Sequence, residues 1–223
     1  MSVIENLAAE WSAVFDEAVA TDEQKSGIPS DAWRISKKTK TKANPDGENL
    51  AWWKDNGLKQ VEAYIEWMKR SGWKIATLPD GKPAIEWGAT VNFGGIPIVL
   101  YIDAVYESGD EWIIVDYKSG ASTPIGFEQL GLYASALERA YGKRPKFGAF
   151  YSTRKAAIDE LVPLEEWGMD YFDYLFAGMA KQQETGFYLP NVGMACNMCG
   201  VKAQCVAWGS DASKNFPFHN DNK

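Results

Sequence analysis

The stretch IDAVYESGDEWIIVDYKSG, residues 102–120, decides how this chain is read. It is two apolar runs joined by a turn-like ESGDE. Each run carries an acid where a strand should bury apolar side chains, Asp103 in the first and Asp116 in the second, and Lys118 follows two residues on. Side chains alternate along a strand, so Asp116 and Lys118 share a face. A two-residue turn at Ser108-Gly109 would set Asp103 opposite Ile114. A four-residue loop over 108–111 would set it opposite Asp116. Either register brings Asp103 to the face of Asp116 and Lys118, whereas a one-residue slip would carry it away unless a bulge corrects it.

Two carboxylates held close repel each other when both are ionised, and one lysine offsets only part of this. A divalent cation removes the conflict. Carboxylate oxygens with a main-chain carbonyl, here that of Tyr117, suit Mg²⁺, which keeps several waters and takes few protein ligands. Such an ion lowers the pKa of water and neutralises charge on a phosphate under attack. Lys118 could then orient or deprotonate the attacking water. The plain alternative is a surface Asp–Lys pair on a half-exposed hairpin. Against it stand the apolar flanks, residues 98–102 and 112–115, and a following helix that presents Gln129 and Tyr133 on one face at i and i+4.

Working outward, apolar residues at helical spacing predict a helix over 3–20 and a second over 48–70. Between them lies a polar stretch with the basic run 34–42. It reads as a solvated loop or, through Arg34, Lys37 and Lys38, as a phosphate-contacting one. Strands are expected at 84–93, 96–106 and 111–118, with Gly94-Gly95 as a tight turn. A helix over 125–141, strands at 146–152 and 157–162, and a helix over 164–183 opening with Glu165-Glu166 complete the order. This is an α/β sandwich rather than an alternating doubly wound sheet.

The 223 residues are 46% hydrophobic and include ten each of Trp, Tyr and Phe, which marks a folded chain with one sizeable core. The net charge of −7 excludes a uniformly basic nucleic-acid binder but not a local basic groove, to which Arg154 and Lys155 could also contribute. No run approaches the roughly 18 apolar residues of a membrane span, and the first residues show no signal pattern, so the expected compartment is the cytoplasm. The three cysteines, Cys196, Cys199 and Cys205, form C-x2-C-x5-C, a spacing for one metal centre or for free thiols.

Together, Ile102-Asp103, Asp116-Tyr117-Lys118-Ser119-Gly120 and Gln129-x-x-x-Tyr133 resemble the PD-(D/E)XK nuclease superfamily. The resemblance is to its RecB-like exonucleases and to the iron–sulfur exonucleases of CRISPR adaptation and of phages. It covers about residues 84–205. It implies a restriction-endonuclease-like mixed central sheet flanked by helices, with a small irregular C-terminal cysteine-containing subdomain. The division would be a nuclease-like domain over 1–185 (helical 1–72, sheet core 73–163, helix 164–185) and a cysteine cluster with a polar tail over 186–223.

By the same resemblance, Asp103 and Asp116 would ligate Mg²⁺ or Mn²⁺, Lys118 would be catalytic, and Gln129 and Tyr133 would position the substrate strand and the lysine. The implied activity is metal-dependent hydrolysis at DNA ends, in a bacterial or phage-infected cell, with recombination- or CRISPR-adaptation-type protein partners. The alternative is a catalytically weak nuclease-fold protein that binds DNA ends or a partner nuclease. The cysteines would hold an iron–sulfur cluster, but the family's fourth cysteine, near the N-terminus, has no counterpart. His219 could complete a zinc site instead. The family's N-terminal His or acid is also missing, and Glu5 or Glu86 could substitute. One expectation covers both gaps: an N-terminally shortened sequence. The other is a natural variant with a simpler metal site.

Overall fold

The paired glycines Gly94 and Gly95, at φ 57° and 85°, reverse the chain between the two longest strands. A Cβ at position 94 would lie 2.2 Å from the Asp173 carbonyl oxygen, so the turn can sit against the last long helix only without a side chain. The computed structural model describes residues 3–33, 45, 47–120, 124, 126–186 and 190–208, with the side chains of 3–5 outside that set.

Seven strands form one mixed sheet: β1 (Lys74–Ile75), β2 (Ile85–Phe93), β3 (Ile96–Ser108), β4 (Glu111–Lys118), β5 (Phe147–Ser152), β6 (Ala157–Ile158) and β7 (Val162–Pro163). β2, β3 and β4 are an antiparallel meander, and β1 also pairs antiparallel with β3. The chain then crosses through a helix to β5, which runs parallel to β4, and β6 and β7 pair antiparallel with β5.

The helices are α1 (Val3–Ser26), α2 (Leu50–Ser71), α3 (Glu128–Tyr141) and α4 (Met169–Thr185). α2 starts where the Asn49 side chain accepts the Trp52 N–H at 2.9 Å and ends at Gly72 in the left-handed region. It covers one sheet face, where Trp67 packs with Ala104, Tyr106, Ile113, Val115 and Tyr151. α1 lies on α2, with the Trp11 indole N–H donating to the Lys54 carbonyl at 2.7 Å. α3 and α4 cover the other face, where Leu130, Leu137 and Phe172 meet Phe93, Ile114 and Phe150. This is the mixed sheet between helical layers that the sequence implies.

Most element ends fall within three residues of expectation, and four features depart from it. α1 runs six residues past position 20. β1, too short to show alternation, was not foreseen. The stretch 157–162 is two short strands rather than one. The last helix begins at Met169, so Glu165 and Glu166 precede it. Arg144 explains the late start: it donates to the carbonyls of Leu164 and Trp167, at 2.8 and 2.7 Å, and to the Ser135 hydroxyl, tying a non-helical 164–167 to α3.

Candidate active site

β3 and β4 pair Glu107 with Trp112 and Ser108 with Glu111 around the Gly109-Asp110 turn. Continuing that register from Ala104–Val115 sets Asp103 opposite Asp116, one of the two arrangements the sequence allows. Asp103 also stands at an irregularity. Leu100 and Ile102 pack toward α3 and α4, Ala104 and Tyr106 toward α2, and Val105 toward α3 and α4 again. The alternation shifts by one residue between Ile102 and Ala104, as at a bulge. Glu86 lies across β2 from this point, between the pairs Ile85–Ala104 and Trp87–Ile102, at φ 47°. A positive φ on a non-glycine residue is strained and clusters at functional sites.

The Asp103 carboxylate accepts the main-chain N–H of Tyr117 at 2.7 Å, which ties the end of β4 to β3 through an acid. In an extended strand a residue's N–H and C=O point to the same neighbour, so the Tyr117 carbonyl faces the β3 side as well. Asp116 is 3% exposed. Its Oδ2 lies 2.5 Å from Lys118 Nζ, yet it makes no well-directed hydrogen bond among the described residues. Burial pushes the Asp116 carboxyl above its ordinary range, Lys118 pulls it back, and the charge of Asp103 pushes it up further.

α3 closes the site from above. Lys118 Nζ donates a long 3.4 Å contact to Gln129 Oε1, and Gln129 Nε2 donates to the Tyr133 hydroxyl at 2.7 Å. The lysine also lies 5.3 Å from the centre of the Phe150 ring, on the neighbouring strand. The Tyr133 phenol is raised from its usual value by burial, lowered in part by Gln129, and raised again by Asp116 and Asp103. Gly131 lets α3 lie directly on the 164–167 segment: a Cβ there would lie 2.3 Å from Trp167 Cβ.

Asp103, Asp116, Lys118, Gln129 and Tyr133 are thus gathered at one sheet end. Glu86 is exposed, and among the described residues no three His, Cys, Asp or Glu side chains converge as a metal-holding group, so it does not join the two aspartates. The donor set still fits one oxygen-preferring divalent ion: two carboxylates, one with a buried and poorly satisfied oxygen, beside a main-chain carbonyl.

The expected cysteine centre is not gathered either. Cys196 and Cys205 are half-buried and Cys199 is exposed on a run of short 3-10 turns, and they do not converge as a metal-holding group. These turns carry no buried side chain that would hold the sulfurs together. Arg154 is committed elsewhere than to a phosphate. It donates to both Glu48 carboxylate oxygens at 2.8 Å and to the Ser119 carbonyl at 2.8 Å, beside the rings of Trp52 and Trp53. Its work is to pin the residue after Lys118 to the start of α2. Charge alone suggested a DNA contact; the adjacent Trp52-Trp53 pair was the signal for a cation's packing site. Lys155 pairs with Asp159 at 2.6 Å on the surface. Arg34, Lys37, Lys38, His219 and the Glu5 side chain lie outside the described residues. No described helix is long and apolar enough to cross a membrane.

Sequence reading also missed what lies behind the site. On the α2 face the hydroxyls of Tyr64, Tyr106 and Tyr117 bond to one another, Tyr64 to Tyr106 at 2.6 Å and to Tyr117 at 3.1 Å. Burial raises the phenols of Tyr106 and Tyr117, which keeps those two protonated. The tyrosines come from α2, β3 and β4, and no local spacing announces them.

A family model described as the PD-(D/E)XK nuclease superfamily matches residues 4–206. The Gene 69 protein of Mycobacterium phage D29 is 40% identical over 100 residues, 44% of this chain and 37% of that one. The Gene 69 protein of Mycobacterium phage L5 is 30% identical over 175 residues, 67% of this chain and 60% of that one. The match thus spans less than two thirds of either relative's length. Among solved structures, SSO0001 aligns at 12% identity and a TM-score of 0.38, covering 67% of each chain. A protein described as "Putative exonuclease" from Eubacterium rectale aligns at 13% identity and 0.43, covering 90% of this chain and 73% of the other. The family match runs through the N-terminal helices, the whole sheet and the cysteine turns, and on it the chain belongs to the PD-(D/E)XK nuclease superfamily.

Proposed function

We propose that this chain is a metal-dependent deoxyribonuclease that hydrolyses phosphodiester bonds at DNA ends. The observation that supports it best is the buried Asp116, whose Oδ2 has only Lys118 Nζ beside it, at 2.5 Å, while Asp103 stands across the strand pair. A buried acid held beside a second acid is costly to a fold and useful to a reaction. Mg²⁺ or Mn²⁺, held by Asp103, Asp116 and the Tyr117 carbonyl, would supply positive charge against the carboxylates and the phosphate.

The chain's own groups do the rest. Lys118 Nζ, steadied by Gln129 and Phe150, orients the attacking water and moves its proton away from the oxygen that joins phosphorus. Gln129 and Tyr133 set the height of that lysine and border the path of the substrate strand. Asp103, fixed by a main-chain N–H, cannot swing away as the phosphate arrives. The preference for ends rests on the family resemblance, as does any recombination-type partner.

The test is release of nucleotides from linear and closed circular DNA with Mg²⁺ or Mn²⁺, beside EDTA and Lys118→Ala. Linear DNA should be degraded and circles spared, and Lys118→Ala should lower the rate at least about 100-fold, the loss typical of a positioned proton-transfer group. A second reading, a DNA-end binder with little activity, has one observation in its favour: among the described residues no third carboxylate converges with Asp103 and Asp116. Retained binding without any cleavage would decide for it.

A further inference from the structure

We propose that the pocket between α1, α2 and the end of β4 binds an unstacked nucleobase of a single DNA strand, next to the strand's reacting phosphate. This deepens the nuclease reading and rests on it. The pocket holds about 450 Å³, within the usual range for small-ligand sites. Its lining includes the aromatic side chains of Trp11, Trp53, Tyr64 and Tyr117, beside Val61, Ile75 and Ile85. Flat aromatic walls stack on any base, without need of its sequence.

A second and independent feature points to a ligand with hydrogen-bonding edges. Tyr151 is fully buried, and its hydroxyl has no hydrogen-bond partner among the described residues. The Thr153 hydroxyl, equally buried as an atom, has none either. Both residues line the pocket. Buried polar atoms in folded proteins are nearly always paired, so two orphans in one cavity mark where a partner belongs. The neighbouring Tyr64–Tyr106–Tyr117 hydroxyls satisfy one another, which makes the pair in the pocket stand out.

Position ties the pocket to the site. Tyr117 and Ser119 line it, and they flank Lys118 in the chain. Side chains alternate on β4, so the lysine serves one face while Tyr117 serves the other. A second hollow of about 350 Å³ shares Gln60 and Thr153 with the pocket and carries Lys59, so the sugar–phosphate would leave past a cationic side chain.

The experiment is fluorescence anisotropy of a labelled single-stranded oligonucleotide of about 15 nucleotides, near the upper site size of small single-strand binders, in EDTA at low salt so that no cleavage intrudes. It is repeated with one abasic nucleotide walked along the strand, and with Tyr151→Phe, Thr153→Val and Val61→Trp, the last to fill the pocket. Wild type should bind, and one abasic position should weaken binding about 10-fold, the effect of losing one stacked base. Tyr151→Phe with Thr153→Val should weaken binding while leaving the unfolding midpoint unchanged or higher, because no bond is lost in the free chain. Equal binding at every abasic position, no binding by wild type, or unchanged binding by all three variants would overturn the proposal and leave a water-filled cavity. Cleavage of linear DNA by wild type, measured separately, judges the nuclease reading by itself.

Discussion

The two faces of β4 hold polar groups at similar depth and treat them in opposite ways. On the α2 side, Tyr117 meets Tyr64 and Tyr106, and three hydroxyls pair with one another. On the α3 side, the Asp116 carboxyl is buried, faces Asp103, and has one oxygen with only a crowded lysine near it. The first face satisfies its polar atoms and fixes the strand. The second leaves an electrostatic problem in place, and a phosphate with its cation can solve that problem. Burial alone does not separate a structural polar cluster from a reactive one; the unmet demand does.

The largest effect should come from Asp116→Asn. Nuclease rate should fall at least about 100-fold, since loss of even a supporting metal contact costs up to that much. Stability at neutral pH should rise. The sign follows from the raised folded-state pKa: between the ordinary aspartate range and that raised value the folded chain binds more protons than the unfolded one, so stability falls as pH climbs through the window. The variant should lack this fall, and its advantage should vanish below the ordinary aspartate range. Thermal unfolding across pH checks it; a less stable variant at neutral pH would erase the contrast between the faces.

Gly131→Ala comes next. The added methyl meets the Trp167 Cβ at 2.3 Å, and forced overpacking costs about 1–3 kcal/mol. Because α3 must then move, Gln129 and Tyr133 should leave Lys118, and activity should fall further than stability does. Urea unfolding beside a rate measurement would show whether the site face depends on the helix above it.

Tyr117→Phe probes the satisfied face. It removes one hydroxyl from the buried trio and should cost about 1 kcal/mol. Cleavage should stay within a few-fold of wild type if the two faces act separately; a collapse in rate would join them. The smallest effect is expected for Cys199→Ser, an exposed residue on a turn outside both cores, within about 0.5 kcal/mol of wild type in thermal unfolding.

How much of this was legible depended on distance along the chain. The β3–β4 hairpin could be read because its apolar runs and turn are contiguous, and Gln129 and Tyr133 because four residues make one helical turn. The tyrosine trio could not, since Tyr64 lies 42 and 53 residues from its two partners on the hairpin. Nor could the role of Arg154, whose carboxylate partner Glu48 lies 106 residues away. The late start of α4 belongs to the same class: a periodic pattern continues through 164–168, but the Arg144 guanidinium takes the carbonyls there from outside. The cysteine spacing left both a metal centre and free thiols open, because spacing cannot say whether a core exists to converge the sulfurs.

Asp103 is held by a main-chain N–H rather than by a side chain. Its placement is therefore independent of which amino acid occupies position 117, proline excepted, as the one residue with no N–H to offer. A change of that side chain, and with it of the wall of the aromatic pocket, is felt by the tyrosine trio but leaves in place the donor that holds the acid on the opposite face. Preference for a substrate can drift while the chemistry stays where it is.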